Sequence, residues 1–304
     1  MSRGTGANAR LLIVLTFVLA TSALAQDAPK KQKNYPPVMN GATVETYKKV
    51  GKTELKVWIF KPEGHKPADK RPAAVFFFGG GWRNGTPTQF EQHCRYLAER
   101  GMVAMTADYR VSTRNKTKAN ACVEDGKSAV RWVRENAKRL GVDPKRIVAG
   151  GGSAGGHVAA CTGVVNGFEV GNRDISSRPN AMALFNPATV LAKVPGVEFD
   201  EKKFSTLEER MGVQPEKLSP WHHVKEQQPP TIIFHGKADK TVPYKSAELF
   251  AAKMQKAGNK CVLKGYAGQG HGFFNYGRSK NVMFEQTVRD LDAFLVSLGY
   301  LSKK

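Results

Sequence analysis

Apolar positions along this chain fall into two interleaved patterns. Short, mainly apolar runs recur at residues 73–78, 102–107, 147–149, 181–185, 231–234 and 261–266, the first of them apolar throughout. Their shortness and apolarity predict strands covered on both faces, as in a parallel sheet. Between them lie segments whose apolar residues keep helical spacing. One joins Phe90, Cys94, Leu97 and Ala98; another joins Cys122, Ala129, Val130, Val133, Ala137 and Leu140; a third joins Ala247, Phe250, Ala251 and Met254. Residues 154–165 and 284–298 read as two further helices. Gly101 and Gly141 are placed to stop the helices before them, and Asp143-Pro144 predicts a turn. Ahead of this series, residues 43–47 and 55–60 alternate apolar and polar positions across Gly51-Lys52, which predicts a half-exposed edge hairpin. Strands alternating with helices predict an α/β fold with a mostly parallel sheet.

The N-terminal end of this frame and one interior stretch break the pattern. Residues 1–25 carry Arg3 and Arg10, an apolar run of about ten residues from Leu11 to Ala20, and the small-x-small ending Ala23-Leu24-Ala25. That is the form of a cleaved export leader, with Gln26 as the expected first residue afterwards; the run is too short to span a bilayer. Residues 26–40 form a polar lead-in, and residues 41–304 the folded domain. Within it, residues 188–230 have weak periodicity and Pro195, Pro215, Pro220, Pro229 and Pro230, which predicts a short lid-like insertion with a helix near 206–211. His222 and His223 are adjacent there, a spacing that suits a surface better than one metal ion.

Composition changes this picture little. The formal charge is +21, but the basic residues are scattered, with no basic block interleaved with aromatics and no nucleic-acid motif. A basic surface of this kind would attract acidic polymers in a salt-dependent way. The four cysteines are Cys94, Cys122, Cys161 and Cys261. None stands in a C-x-x-C pair, so no zinc site is expected. Export permits disulfides. Cys94 and Cys122, expected on adjacent helices over one face of the sheet, are the candidates for one, the alternative being two buried thiols.

The chemistry concentrates where strand 147–149 ends. Gly151-Gly152-Ser153-Ala154-Gly155 matches G-x-S-x-G, in which a strand turns sharply into a helix and presents the serine, while the N–H of the next residue faces the atom attacked. The same letters hold Gly150-x-Gly152-x-x-Gly155, a dinucleotide fingerprint, which needs an acid about 20 positions on at the end of a second strand. Glu169 and Asp174 lie near that distance, but the intervening segment is a weak strand and more than a hundred residues precede the motif. The nucleophile reading asks instead for an acid and then a histidine downstream. Asp239 follows strand 231–234, and His271 lies between glycines after strand 261–266. Their order, Ser153, Asp239, His271, is that of the α/β-hydrolases. Gly79-Gly80-Gly81, after strand 73–78, offers bare backbone N–H groups for an oxyanion. Asp108, Tyr109 and Arg110 with Asp125 read as a structural charge group.

Taken together, Gly79-Gly80-Gly81-Trp82, Asp108-Tyr109-Arg110, the Gly151–Gly156 turn, the His235–Pro243 segment and His271-Gly272-Phe273-Phe274 resemble the α/β-hydrolase esterases, in the branch of acetyl esterases and hormone-sensitive-lipase-like acyl esterases. The resemblance spans nearly all of residues 26–304. It implies an eight-stranded, mostly parallel sheet flanked by helices and no cofactor or metal. It also implies Ser153, Asp239 and His271 as a catalytic triad, with Gly80, Gly81 and Ala154 as oxyanion donors. The sequence departs from the family in one place: Phe78 stands where the family has a histidine before the glycines, so a different anchor must hold that loop. The expected function is cleavage of short-chain esters of small molecules or carbohydrates. A prolyl-oligopeptidase-like peptidase shares the catalytic core but usually carries a propeller, for which this chain has no counterpart. A flavin or nicotinamide oxidoreductase and a non-catalytic binder are the alternatives from other classes.

Overall fold

The computed structural model describes Met1 and residues 35–197 and 206–303. The expected export leader lies outside the described residues. Pro36–Lys304 is one compact unit. Its eight strands are β1 (Thr43–Val50), β2 (Thr53–Phe60), β3 (Arg71–Phe77), β4 (Val103–Ala107), β5 (Val142–Gly152), β6 (Ala181–Phe185), β7 (Thr231–Gly236) and β8 (Cys261–Tyr266). They form one sheet in the order β1-β2-β4-β3-β5-β6-β7-β8. The hairpin β1–β2 is antiparallel and joins β4 antiparallel; every later pairing is parallel. The fold is that of an α/β-hydrolase.

Among the described residues, five helices of two or more turns cover the sheet: α1 (Glu91–Glu99), α2 (Ala119–Glu135), α3 (Ala154–Val164), α4 (Tyr244–Lys256) and α5 (Val282–Ser297). Residues alternate along the strands between two cores. Val75 and Phe77 of β3 face the core that holds Val130, Val158 and Phe250 of α2, α3 and α4; Ala74 and Phe76 face the one that holds Leu97 of α1 and Leu291 of α5. Sequence periodicity placed these elements to within a few residues, with two exceptions. Strand β5 starts at Val142, so Asp143-Pro144 is an irregularity within the strand, marked by a register shift against β3. The helix expected to run to Leu140 breaks at Asn136, whose Nδ2 donates to the Trp132 carbonyl, and a separate turn covers Ala137–Leu140.

Of the two readings of Cys94 and Cys122, the disulfide is not formed and the pair of buried thiols holds. All four cysteines are free and buried, and Cys94 and Cys122 sit in different cores, on opposite faces of the sheet. The reason is topological. The chain steps from β3 to β4 in one direction through α1, then back past β3 to β5 through α2. Crossovers of one hand that run in opposite directions leave their helices on opposite faces.

His93, on α1, is fully buried among Phe76, Phe90, Phe185, Phe274 and Phe284, with ring centroids 4.9–6.2 Å away and no hydrogen bond on either ring nitrogen among the described residues. Burial pushes its pKa down from 6.5 to about 3. The unfolded chain therefore takes up a proton below pH 6.5 that the folded chain refuses until about pH 3. Stability is expected to fall with acidification across that window, by about 1.4 kcal/mol per pH unit from this group. His93→Phe should remove that contribution, so that its melting temperature, measured from pH 7 to pH 4, declines less steeply than that of the unaltered protein.

Candidate active site

The end of β5 turns into α3 at Ser153, whose φ of 54° and ψ of −118° lie in a region that side-chain-bearing residues rarely adopt. The strain is locked by backbone bonds: Ser153 N donates to the Phe185 carbonyl at 2.8 Å, and His157 N donates to the Ser153 carbonyl at 2.9 Å. Close approach explains the flanking glycines. A Cβ on Gly155 would lie 2.1 Å from the Phe77 carbonyl oxygen, so only glycine lets α3 start against the end of β3.

The structure brings Ser153, His271 and Asp239 into one hydrogen-bonded chain. His271 Nε2 is 3.0 Å from Ser153 Oγ, and its Nδ1 is 2.7 Å from Asp239 Oδ2. Asp239 hangs from the loop after β7, where Thr241 N and Val242 N donate to Oδ1 at 2.9 and 3.0 Å. His235 Nε2 lies 3.3 Å from the same Oδ2 that meets His271, while also 2.8 Å from the Val242 carbonyl. Burial alone would raise the Asp239 pKa. Hydrogen bonds from His235, His271 and the Val242 N–H outweigh it and hold the carboxyl well below its ordinary range. The acid and histidine loops are tied to each other through Ala238 N and the Gln269 carbonyl, 3.0 Å apart. Asn186 at the end of β6, itself at a φ of 35°, accepts from Gly272 N at 3.1 Å and so fixes the backbone beside His271.

The glycine loop after β3 faces this chain. A Cβ on Gly79 would stand 3.3 Å from Ser153 Cβ. The N–H groups of Gly80, Gly81 and Ala154 have no hydrogen-bond partner among the described residues, that of Ala154 because it opens α3. Gly80 has a φ of 127°, and a Cβ there would lie 2.2 Å from the Asn84 carbonyl oxygen. Phe78 replaces the family histidine by stacking: its ring lies 4.2 Å from that of Tyr109, whose hydroxyl donates to the Phe78 carbonyl at 2.6 Å. Two further ties hold the loop. Gly79 N donates to Gln89 Oε1 at 2.6 Å, and Gln89 Nε2 donates to Asn275 Oδ1 at 2.9 Å, which couples the glycine loop to the histidine loop. Trp82 Nε1 donates to His157 Nδ1 at 3.1 Å, and the other ring nitrogen of His157 donates to the Leu218 carbonyl at 2.7 Å. That pairing requires a neutral imidazole, and burial, partly opposed by the Leu218 bond, pushes the His157 pKa down to about 4.

Residues the sequence left ambiguous fall away from this centre. Glu169, a candidate acid for the dinucleotide fingerprint, is paired with Lys127 at 2.6 Å. Asp108 binds Arg114, and Arg110 binds Asp125 and Glu124, as a charge group under β1 that Lys48 joins. His222 and His223 meet the carbonyls of Lys193 and Glu216. No group of three metal-ligating side chains occurs among the described residues. Nor does any helix among them have the length and apolarity to cross a membrane. Described parts of the 188–230 stretch carry the one-turn helix Leu207–Met211 and two 3-10 turns, Pro215–Leu218 and Pro220–His223. They reach the site through Leu218 and through Arg210, whose Nη2 donates to the Gly81 carbonyl at 3.2 Å.

A sheet of this order, with a serine on a strained strand-to-helix turn and an acid and a histidine after two later strands, defines the α/β-hydrolase esterase class. The BD-FAE family model matches residues 58–254, and the chain belongs to that family. Among solved structures it is similar to native esterase 2 of Thermogutta terrifontis, with 52% identity and a TM-score of 0.85 over 89% of this chain and 97% of that one. The propionate-bound form of the same esterase matches with 52% identity and a TM-score of 0.85, over 89% of this chain and 99% of that one. Among curated proteins it is similar to the esterase LipC of Mycobacterium tuberculosis, 29% identical over 72% of this chain and 56% of that protein. The carboxylesterase NlhH of the same species is 28% identical over 64% of this chain and 60% of that one. The chain spans between 30% and 60% of the length of the first curated relatives it matches.

Proposed function

We propose that this chain is an exported serine carboxylesterase that hydrolyses short-chain esters, with small-molecule or carbohydrate acetates as its natural class. The observation that carries the reading is the pair of contacts at 3.0 and 2.7 Å linking Ser153 Oγ, His271 and Asp239. In this mechanism His271 Nε2 takes the Ser153 proton as Oγ attacks the ester carbonyl. Asp239 accepts the Nδ1–H, fixing the tautomer and stabilising the imidazolium. The N–H groups of Gly80, Gly81 and Ala154 receive the oxyanion. His271 then protonates the departing alcohol, and water activated by the same nitrogen releases the acid from Ser153. No cofactor enters any step.

The short-chain preference rests on two supports. The insertion at 188–230 is too short to build an extended apolar groove, and each buried methylene needs such a surface to gain its roughly 0.8 kcal/mol. The Thermogutta esterase, 51–52% identical, has been captured with propionate and with butyrate. Rates on p-nitrophenyl esters from C2 to C12 test the proposal. We expect kcat/KM to peak between C2 and C4 and to fall beyond. A profile still rising at C8 would reveal an apolar groove and end the short-chain reading. Export rests on the pattern of residues 1–25. Fractionation of producing cells, with a mature chain beginning at Gln26, is the expected result.

A further inference from the structure

Arg210 is a cation at the glycine loop that has no carboxylate partner among the described residues. It sits at the end of the one-turn helix Leu207–Met211, half-buried, with its guanidinium carbon 5.2 Å from the centre of the Trp82 ring and Nη2 against the Gly81 carbonyl. Its Nε is buried without a hydrogen bond among the described residues. Desolvation, and then the charge of nearby Arg83, pull its pKa below the ordinary value, and no carboxylate among the described residues offsets them. Other arginines have more protein acceptors. Arg110, Arg114 and Arg100 pair with carboxylates. Arg131 and Arg178 have no acid but divide their donors over two or more protein oxygens. Arg210 has one carbonyl and one ring. The exposed Arg278 reaches the His271 carbonyl at 3.2 Å.

An arginine that is partly desolvated, bonded to the glycine loop and crowded by a second arginine is costly unless something anionic completes it. We propose that Arg210, assisted by Arg83, is an anion subsite that selects esters whose alcohol part carries a carboxylate. The inference rests on the short-chain esterase reading: an acyl group of two to four carbons leaves no place for the charge, which must then lie on the alcohol. A carboxylate accepts charge-assisted N–H bonds from a guanidinium, and of the Arg210 donors only Nη2 has a protein acceptor among the described residues, the Gly81 carbonyl. Cation and oxyanion donors are joined through Gly81, so an alcohol held at Arg210 keeps its acetyl carbonyl within reach of Ser153.

The test uses 4-acetoxybenzoate and 4-acetoxybenzamide, which match in size and differ in charge. For Arg210→Gln the ratio of kcat/KM on the anionic ester to that on the neutral one should fall roughly tenfold or more, as expected for loss of a charge-assisted pair. Arg210→Lys should keep part of the preference, and Arg83→Gln should lower it by a smaller factor. Rising salt should erode the ratio in the unaltered enzyme but not in Arg210→Gln. An equal loss on both esters would mean that Arg210 only braces the Gly81 carbonyl, and the proposal would be overturned; an unchanged ratio would overturn it too. Calorimetry on Ser153→Ala with 4-hydroxybenzoate and 4-hydroxybenzamide separates this from the esterase reading. Tighter binding of the carboxylate that disappears on adding Arg210→Gln supports the subsite even if neither ester is cleaved; equal binding of the two removes it.

Discussion

Ser153→Ala is expected to lower kcat on p-nitrophenyl acetate by roughly three to six orders of magnitude while the protein keeps its fold. The loss is large because no other nucleophile stands at the elbow: the neighbours of Ser153 are glycines and Ala154, and Cys161, one helix turn past His157, is buried with its thiol pKa pushed up by burial. The fold survives because the bonds that lock the turn, Ser153 N to the Phe185 carbonyl and His157 N to the Ser153 carbonyl, belong to the backbone. Alanine keeps the same positive φ of 54°. Burst kinetics would add a sharper reading, since an acyl-enzyme releases one equivalent of p-nitrophenol per active serine before turnover. Activity near that of the unaltered protein would remove Ser153 as the nucleophile, whatever the geometry around it.

The parts of this site that were legible in the sequence are those that depend on local chemistry. A strand followed by G-x-S-x-G can make few turns other than the elbow, because Gly155 must tolerate a carbonyl at 2.1 Å from its missing Cβ. Asp239 and His271 were legible as loop residues after late strands. What holds them was not, because each support joins segments far apart in the chain. Gln89 meets Asn275 across 186 positions, and Asn186 meets Gly272 across 86. An asparagine in a loop gives no sign of which backbone N–H it will accept. The anchor that replaces the family histidine was hidden for the same reason: Phe78 looks like the last residue of an apolar strand until Tyr109 stacks on it.

The expectation that Cys94 and Cys122 lie over one face of the sheet fails for a different reason. Periodicity assigns each cysteine to the buried side of its own helix, correctly in both cases. It carries no information about which face of the sheet that helix covers. That depends on the order β4-β3-β5, a property of the whole sheet, which reverses the direction of the chain between the two crossovers. His93 and His157 show the same limit for polar groups. Each occupies a helical position that pattern reading treats as unremarkable, yet one fills an aromatic box and the other bridges Trp82 to Leu218.

Asp239→Asn is expected to cost about three to four orders of magnitude in kcat, close to the effect at Ser153 and with the serine, the base and the oxyanion donors still in place. The carboxylate accepts three hydrogen bonds, from two backbone N–H groups on Oδ1 and from His271 on Oδ2, and His235 Nε2 lies 3.3 Å from Oδ2. In the asparagine protein the Oδ1 position can stay a carbonyl oxygen for Thr241 and Val242. The amide NH2 must then face His271 Nδ1, which stabilises the tautomer with its proton on Nε2. That tautomer cannot take a proton from Ser153 Oγ at 3.0 Å. The same substitution has a stability signature with a definite sign. The folded-state pKa of Asp239 lies below its ordinary value of 3.8, so the carboxylate stabilises the fold above that pH and the contribution drains away as pH falls below it. The gap in melting temperature between the two proteins should therefore be widest near neutrality and narrow below about pH 4. Measured together, kcat at pH 7.5 and melting temperature from pH 7.5 to pH 3 separate the two roles. A gap that stays constant with pH would show that the ionised carboxylate is not what stabilises this loop, and a kcat near that of the unaltered protein would show that another group fixes the His271 tautomer.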